Sequence, residues 1–361
     1  MKINKHCFPN GLRLVHYEDT STQMVALNIV YDVGARDEHP EHTGFAHLFE
    51  HLMFGGSAHI PDYDTPLQLA GGENNAWTNN DITNYYLTVP KPNVETAFWL
   101  ESDRMLELAF SEQSLEVQRG VVMEEFKQRC LNQPYGDVGH LFRPLAFRVH
   151  PYRWPTIGKE LSHIEQATLD EVKSFFYRFY APNNAVLAVT GNISWDETVK
   201  FTEKWFAPIP RRDVPVRQLP QEPEQTQERR LTVERNVPLD ALFMGYHMCS
   251  REGADYYAFD ILSDILSNGR SSRLNRRLVQ EQNIFSGIDA YISGTRDAGL
   301  LQISGKPAAG VSLEQAEAAV RKELEELQRS PVDGQELEKV KNKFESTQIF
   351  GNINYLNVAT N

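Results

Sequence analysis

Cysteine is scarce in this sequence. Cys7, Cys130 and Cys249 are the whole complement in 361 residues and lie far apart, which excludes a disulfide framework and a CxxC-type metal site. They read instead as structural thiols. Long apolar runs are missing too: nowhere do about 18 consecutive apolar residues occur, so no membrane-spanning helix is expected. The opening MKINKHCFPNGLRLVHYED has no apolar stretch of the kind a secretory signal needs, and unless a leader was removed beforehand the chain reads as cytoplasmic. Basic residues fall short of acidic ones, 36 against 49, giving a net charge of -13. A surface of that sign repels phosphate, which argues against nucleic acid as a partner.

What is present is the composition of a soluble globular protein, 41% hydrophobic and 24% charged. At roughly 150 residues per domain, the length suggests about two domains. The stretch from Ala207 to Arg230, APIPRRDVPVRQLPQEPEQTQERR, is dense in Pro, Gln and charge and has no period of 2 or 3.6. It reads as a linker, placed at 207–228 between a first domain at 1–206 and a second at 229–361.

Each half opens with alternating strands, Leu12 to Tyr17 and Val25 to Tyr31 in the first, Leu231 to Val237 and Ala241 to His247 in the second. Helical periods follow in both. Thr43 is placed to cap a helix reaching Phe54 and stopped by Gly55-Gly56, and Ala258 to Leu266 carries a second one. The expected class is α+β, two similar domains forming a divergent repeat, each a mostly antiparallel sheet packed with helices. No strand–helix pair closes the second half as it closes the first, so an incomplete second domain is expected.

The segment TGFAHLFEHLMFGG holds His47, Glu50 and His51 in an H-x-x-E-H arrangement. Residues four apart share one helix face, with Cβ atoms roughly 5–6 Å apart, so both imidazoles can reach one ion. Glu50 sits beside that face, near enough to take a proton from an attacking water without binding the metal. A merely polar helix face would give the same letters. Against it, Phe45, Ala46, Leu48, Phe49, Leu52, Met53 and Phe54 surround these groups, and no Lys or Arg lies between Thr43 and Gly56. Polar groups in such a helix are costly to bury unless something satisfies them, and a metal would.

A catalytic zinc wants a third protein ligand and an open position. Glu124, Glu125, Glu116 and His150 are the candidates, and spacing does not choose among them. A solvent-facing carboxylate is the ordinary fate of any one of these acids.

The chain resembles the pitrilysin/insulinase-type metallopeptidases, the inverzincins, and most of all their two-domain bacterial and mitochondrial-processing-peptidase-like subunits. The resemblance runs through GFAHLFEHLMFGGS, GGENNAWTNNDITNYY, RGVVMEEFKQR, HPYRWPTIGKE and GRSSRLNRRLVQEQNIF. It implies two clamshell-like domains, one zinc ion per chain, and Glu125 as third ligand, placed by an R-x-V-V-x-x pattern on Arg119, Val121 and Val122. It also implies that Asn75 and Ala76 border the cleft, where a peptide adds as an extra strand; a Gly-Asn turn between hairpin strands is the plainer reading of the same letters.

Two places depart from the family's pattern. Gln118 stands where a second acid is usual. Val279 and Ser286 stand where related second domains carry an Arg and a Tyr that hold the substrate carbonyl, and neither can do that job. The resemblance therefore implies a zinc-bearing endopeptidase subunit, working on peptides or unfolded segments beside a second subunit that supplies the Arg and Tyr, or else as a homodimer. A non-catalytic assembly subunit with a structural zinc is the competing reading, and hydrolysis of a non-peptide ester or amide is a third.

Overall fold

A computed structural model describes residues 2–361. They form two compact units: one runs to Glu228 and takes up Gly351–Asn361 as well, and the other is Arg229–Phe350.

The first unit contains, in chain order, β1 (Asn4–Cys7), β2 (Arg13–Glu18), β3 (Met24–Tyr31), α1 (Phe45–Leu52), α2 (Asp64–Leu69), β4 (Glu73–Thr78), β5 (Thr83–Pro90), α3 (Val94–Leu106), α4 (Glu112–Phe126), α5 (Val138–Ala146), α6 (Leu161–Glu165), α7 (Leu169–Phe179), β6 (Ala185–Gly191) and α8 (Trp195–Trp205). Its sheet has the order β1-β2-β6-β3-β5-β4. β2 and β6 run parallel and every other neighbouring pair antiparallel. β3 and β5 lie inside the sheet and are buried on both faces, which suits the near-continuous apolar run of β3, MVALNIVY. β4 is an edge strand with alternately exposed and half-buried side chains.

The second unit contains β7 (Leu242–Met248), α9 (Tyr256–Ser267), β8 (Phe285–Ile292), β9 (Gly299–Pro307), α10 (Leu313–Arg329) and most of α11 (Gly334–Gly351), with an antiparallel sheet in the order β7-β9-β8. Strand, helix and hairpin thus follow one another as β3, α1, β4 and β5 do in the first unit, with the same order β3-β5-β4 in space. The class is α+β, built from two like units.

Three expectations are corrected. Leu231 to Val237 forms no regular strand, and Leu231 and Val233 are exposed; alternation does not hold a strand together without a neighbour for its backbone groups. The stretch 207–228 is irregular but laid onto the first unit. Arg217 pairs with Asp32 and Asp37, and the Glu222 carboxylate accepts from the amides of Arg148, Val149 and His150 at 2.7, 2.9 and 3.0 Å. Finally, 351–361 does not stay with the second unit. Its helix α12 (Tyr355–Thr360) lies on the first sheet, where Asn28 Nδ2 donates to Ala359 O at 2.9 Å and Thr190 Oγ1 to Tyr355 O at 2.6 Å. The buried amide of Asn28 would lose that partner if the segment left.

The core of the first unit gathers around α1. Phe49 stacks on Phe175 and Tyr180, each with ring centroids 5.1 Å apart. Just beyond α1, Arg104 is 1% exposed and forks onto Glu101, with Nη2 to Oε1 2.5 Å and Nε to Oε2 3.0 Å. Tyr63 also donates to Glu101, and the guanidinium sits 4.5–5.1 Å from the ring centres of Phe54, Tyr63 and Tyr85.

Removing one member of such a pair strands the other charge in the core. Arg104→Met is expected to cost about 3–5 kcal/mol in urea unfolding, with much of it recovered in the double variant Arg104→Met/Glu101→Leu. In the second unit, Glu317 accepts from Arg230 Nη1 at 2.6 Å and Arg321 Nε at 2.7 Å, and these bonds, Arg230 first, hold its carboxyl down to about 2. Because the folded value lies below the ordinary 4.5, the stabilisation is complete above that pH and is lost as pH falls toward 2. Glu317→Gln should therefore destabilise by up to about 1 kcal/mol at neutral pH. The two proteins should converge in unfolding free energy as pH approaches 2.

Candidate metal centre

α1 enters the core through an unusual N-terminus. Gly44, the residue before its first turn, has φ +88°, and a Cβ there would meet Ile164 Cδ1 at 2.6 Å and Ile157 O at 2.8 Å, so only glycine fits. The expected cap, Thr43, is turned elsewhere: its hydroxyl accepts from Lys159 N at 2.7 Å. Glu38 does the capping, its carboxyl group taking the amides of Gly44 and Ala46 at 2.9 Å each, while burial pushes that group up to about 8.

The helix is seated so that Phe45, Ala46, His47, Leu48, Phe49 and Leu52 are buried, with Glu50 and His51 half-buried. The rings of His47 and His51 stand nearly perpendicular, 87° apart, with centroids separated by 4.9 Å. Across from them α4 presents Glu125. Its Oε2 lies 3.6 Å from His47 Nε2 and 3.4 Å from His51 Nε2.

Among the described residues this is the one group of His, Cys, Asp and Glu side chains whose donor atoms converge as a metal shell would require. Zinc bonds of about 2.1 Å in a tetrahedron put neighbouring donors about 3.4 Å apart, and the two distances agree. His47 Nδ1 is buried with no hydrogen-bond partner. The buried His47 and the half-buried His51 both turn Nε2 toward one Glu125 oxygen, and an ion held between the three would take up those converging lone pairs. The residues fit zinc.

The other candidates for third ligand point away. Glu124 is exposed and lies 3.8 Å from Lys127, Glu116 is exposed and paired with Arg119, and His150 accepts the amide of Tyr152. Immediately after Glu125 the helix widens into a π-turn, Lys127–Leu131, which carries Arg129 back over the carboxylate, Nη1 to Oε1 2.8 Å. Glu125 then has one oxygen for the guanidinium and one for the imidazoles.

Burial drives the ionisation of the cluster. The His47 imidazole is lowered to about 4, chiefly because its charged form is shut off from water, with Glu125 opposing. It is therefore neutral, the form that binds metal. Glu125 is held below its ordinary range, first by the adjoining His51. Burial raises Glu50, against the hydrogen bond it accepts from Thr78 Oγ1 at 2.6 Å. A carboxylate of raised pKa beside a metal shell, and outside it, has the position and basicity to move protons.

Asn75 and Ala76 lie on β4, whose outer edge is unpaired; Asn75 Oδ1 accepts the amide of Ala76 at 2.8 Å. In the second unit, Val279 packs against the core and Ser286 is exposed, its hydroxyl donating to Lys306 O at 3.0 Å. Neither offers a cation or a phenol. Sequence reasoning missed Glu38, Arg129 and Thr78. Arg129 could have been found from its i+4 spacing to Glu125, and Thr78 from sharing the strand parity of Ala76; nothing local marks Glu38.

Comparison with known proteins agrees over most of the chain. Residues 13–138 match the family model described as Insulinase (Peptidase family M16), and residues 166–344 the model described as Peptidase M16 inactive domain. A Helicobacter pylori protein named Zinc protease PqqE is 28% identical over 338 residues, 92% of this chain and 76% of that protein. A Bacillus subtilis protein described as an uncharacterized zinc protease is 25% identical, covering 96% of this chain and 83% of its own length. The crystal structure of a protease from Helicobacter pylori superposes with a TM-score of 0.93 at 27% identity, over 99% of this chain and 88% of that one. A Pseudomonas fluorescens M16 inactive-domain structure, at 17% identity and TM-score 0.86, covers 96% of this chain and 84% of its own and shares the fold. With both halves matched in order by the family's own models, the chain belongs to the pitrilysin/insulinase-type M16 peptidase family.

Proposed function

We propose that this chain is a zinc-dependent endopeptidase acting on peptides or unfolded polypeptide segments, and that it is the zinc-bearing member of a dimer. The observation that carries this reading is the convergence of His47, His51 and Glu125 with Glu50 beside them and outside the shell. His47, His51 and Glu125 would hold the ion, which when bound polarises a scissile carbonyl and makes water acidic enough to attack near neutral pH. Glu50 takes the proton released by the attacking water and returns it to the departing amine. Arg129 keeps the Glu125 carboxylate oriented. The free edge of β4 at Asn75 and Ala76 offers main-chain groups to an extended peptide, a mode that reads backbone shape more than side chains.

Relatives named zinc proteases support the class, and two imidazole donors among the three ligands support zinc over a hard cation such as magnesium or calcium. Val279 and Ser286 support a partner that supplies the missing substrate-side Arg and Tyr, with a homodimer as the second arrangement. The same two residues favour the competing reading, an assembly subunit with structural zinc. Glu50 weighs against it, because a structural shell has no use for a free carboxylate at its side. Among the described residues no helix is long and apolar enough to cross a membrane.

Glu50→Gln is expected to leave one zinc per chain, by metal analysis, while lowering peptide cleavage roughly 100-fold or more. Turnover that survives this change would exclude the proton-transfer role. His47→Ala, His51→Ala and Glu125→Ala should each lose zinc, and chelator should silence the unaltered enzyme reversibly. Co-purified with its native partner, the chain should cleave an unfolded peptide well above its rate alone; full activity in isolation would remove the paired-subunit reading.

A further inference from the structure

Glu50 has been assigned a proton-carrying role, yet α1 alone does not fix its side chain. A glutamate carries three rotatable bonds, and the neighbouring turn of α1 offers no donor to its carboxylate. Among the described residues the one hydrogen bond this carboxylate accepts comes from Thr78, whose Oγ1 lies 2.6 Å from Oε2. We infer that Thr78 is the positioning residue of Glu50, and that it ties the orientation of the base to the strand on which an extended peptide would dock. The inference rests on the reading of Glu50 given above.

Thr78 is itself held firmly. It closes β4, in register with Thr83 at the start of β5. The turn that follows is pinned: Asn79 N donates to Ile82 O at 3.0 Å, and Asn79 Oδ1 accepts the amides of Asp81 and Ile82 at 2.7 and 2.9 Å. The carbonyls of Asn79 and Asn80 accept in turn from Ala35 at 3.1 Å and Arg36 at 2.9 Å. The neighbouring hydroxyl, on Thr83, is committed to Val33 O at 2.9 Å and does not compete for Glu50.

The pleat explains why this hydroxyl faces α1. Asn74, Ala76 and Thr78 share one parity and are half-buried, whereas Glu73, Asn75 and Trp77 alternate with them and are exposed. Ala76 packs against the main core and Thr78, two residues on, meets Glu50. Since a carboxylate only accepts, Thr78 donates. That occupies Oε2 and leaves Oε1 as the oxygen free to meet water. A peptide pairing along β4 would bind to the same short strand that aims the base, so a shift of that strand would move substrate and carboxylate together. A base misplaced by about 1 Å can cost 100-fold in rate, which is why a single hydroxyl can matter here.

The test compares Thr78→Val, which keeps shape and loses the hydroxyl, with Thr78→Ser, which keeps the donor. Crystal structures of the metal-free proteins give a readout independent of activity. The Glu50 carboxylate should leave its place, or spread over several conformers, in the valine variant and keep its place in the serine variant. In peptide cleavage, Thr78→Val should lower kcat roughly 10- to 100-fold with KM changed less than about threefold, and Thr78→Ser should recover most of kcat. All three proteins should retain zinc equally. A Glu50 carboxylate unmoved in Thr78→Val, or a kcat unchanged by it, overturns the inference, as does an equal loss in the serine variant. If the unaltered protein cleaves no peptide with or without its partner, the proposed function fails, while the crystal structures still decide whether Thr78 holds Glu50.

Discussion

Two imidazoles and two carboxyl groups share the buried and half-buried space around α1, and the rest of the first unit is arranged to make that tolerable. A buried polar group is destabilising unless paired, and a charged one far more so. The unit meets this in two ways. His47 is driven to its neutral form, which is cheap to bury, and Glu125 is kept charged first by the adjoining His51, with Arg129 on its other oxygen. What is left is a set of lone pairs, the two Nε2 atoms and Glu125 Oε2, aimed at a common point. Binding a cation and building a stable core place opposite demands on such residues, and an ion held by the three groups would meet both.

The supporting structure follows from that demand. α1 must bring its N-terminus into the interior, where four unpaired amides would be costly, so Glu38 reaches over to take two of them. Gly44 makes the tight entry possible. On the far side of the helix the stack of Phe49, Phe175 and Tyr180 fixes its rotation, and with it the direction in which His47 and His51 face. The Arg104–Glu101 pair, walled in by Phe54, Tyr63 and Tyr85, closes the C-terminal end. Its fixed, partner-demanding geometry holds α3 against the segment leaving α1, a task for which interchangeable apolar contacts would be less selective.

How much of this was legible in the sequence depended on the range of the interaction. α1 and its three polar residues stood out because the H-x-x-E-H spacing falls within a single turn and the surrounding residues are apolar. The choice between Glu124 and Glu125 was not legible from spacing: adjacent residues on a helix point about 100° apart, and only the packing of α4 on α1 says which one faces inward. The family resemblance supplied the answer that periodicity could not. Thr78 and Glu50 are 28 residues apart and Asn28 and Ala359 are 331 apart, so neither contact leaves a local mark. The 231–237 stretch fails for the converse reason. Its alternation is real, but a strand is a property of two segments, and no second segment pairs with it.

The repeat shows what the fold needs and what the chemistry needs. Both units build strand, helix and hairpin in the same spatial order, from apolar patterns that the sequence shares in period but not in letters. At the place of α1 the second unit has α9, YYAFDILSDILS, whose polar residues are Asp and Ser and which holds no histidine. Its core closes around Leu266, Phe285, Ile288 and Ile303 without any buried cluster of ligands. The apolar period therefore suffices for the architecture, and among the described residues only the first unit carries a convergent group of possible metal ligands. Since the added residues sit in a core that would close without them, losing them need not unfold a unit. That is how one copy of a duplicated fold can keep its shape, drop its chemistry, and still pack as a domain of the same protein.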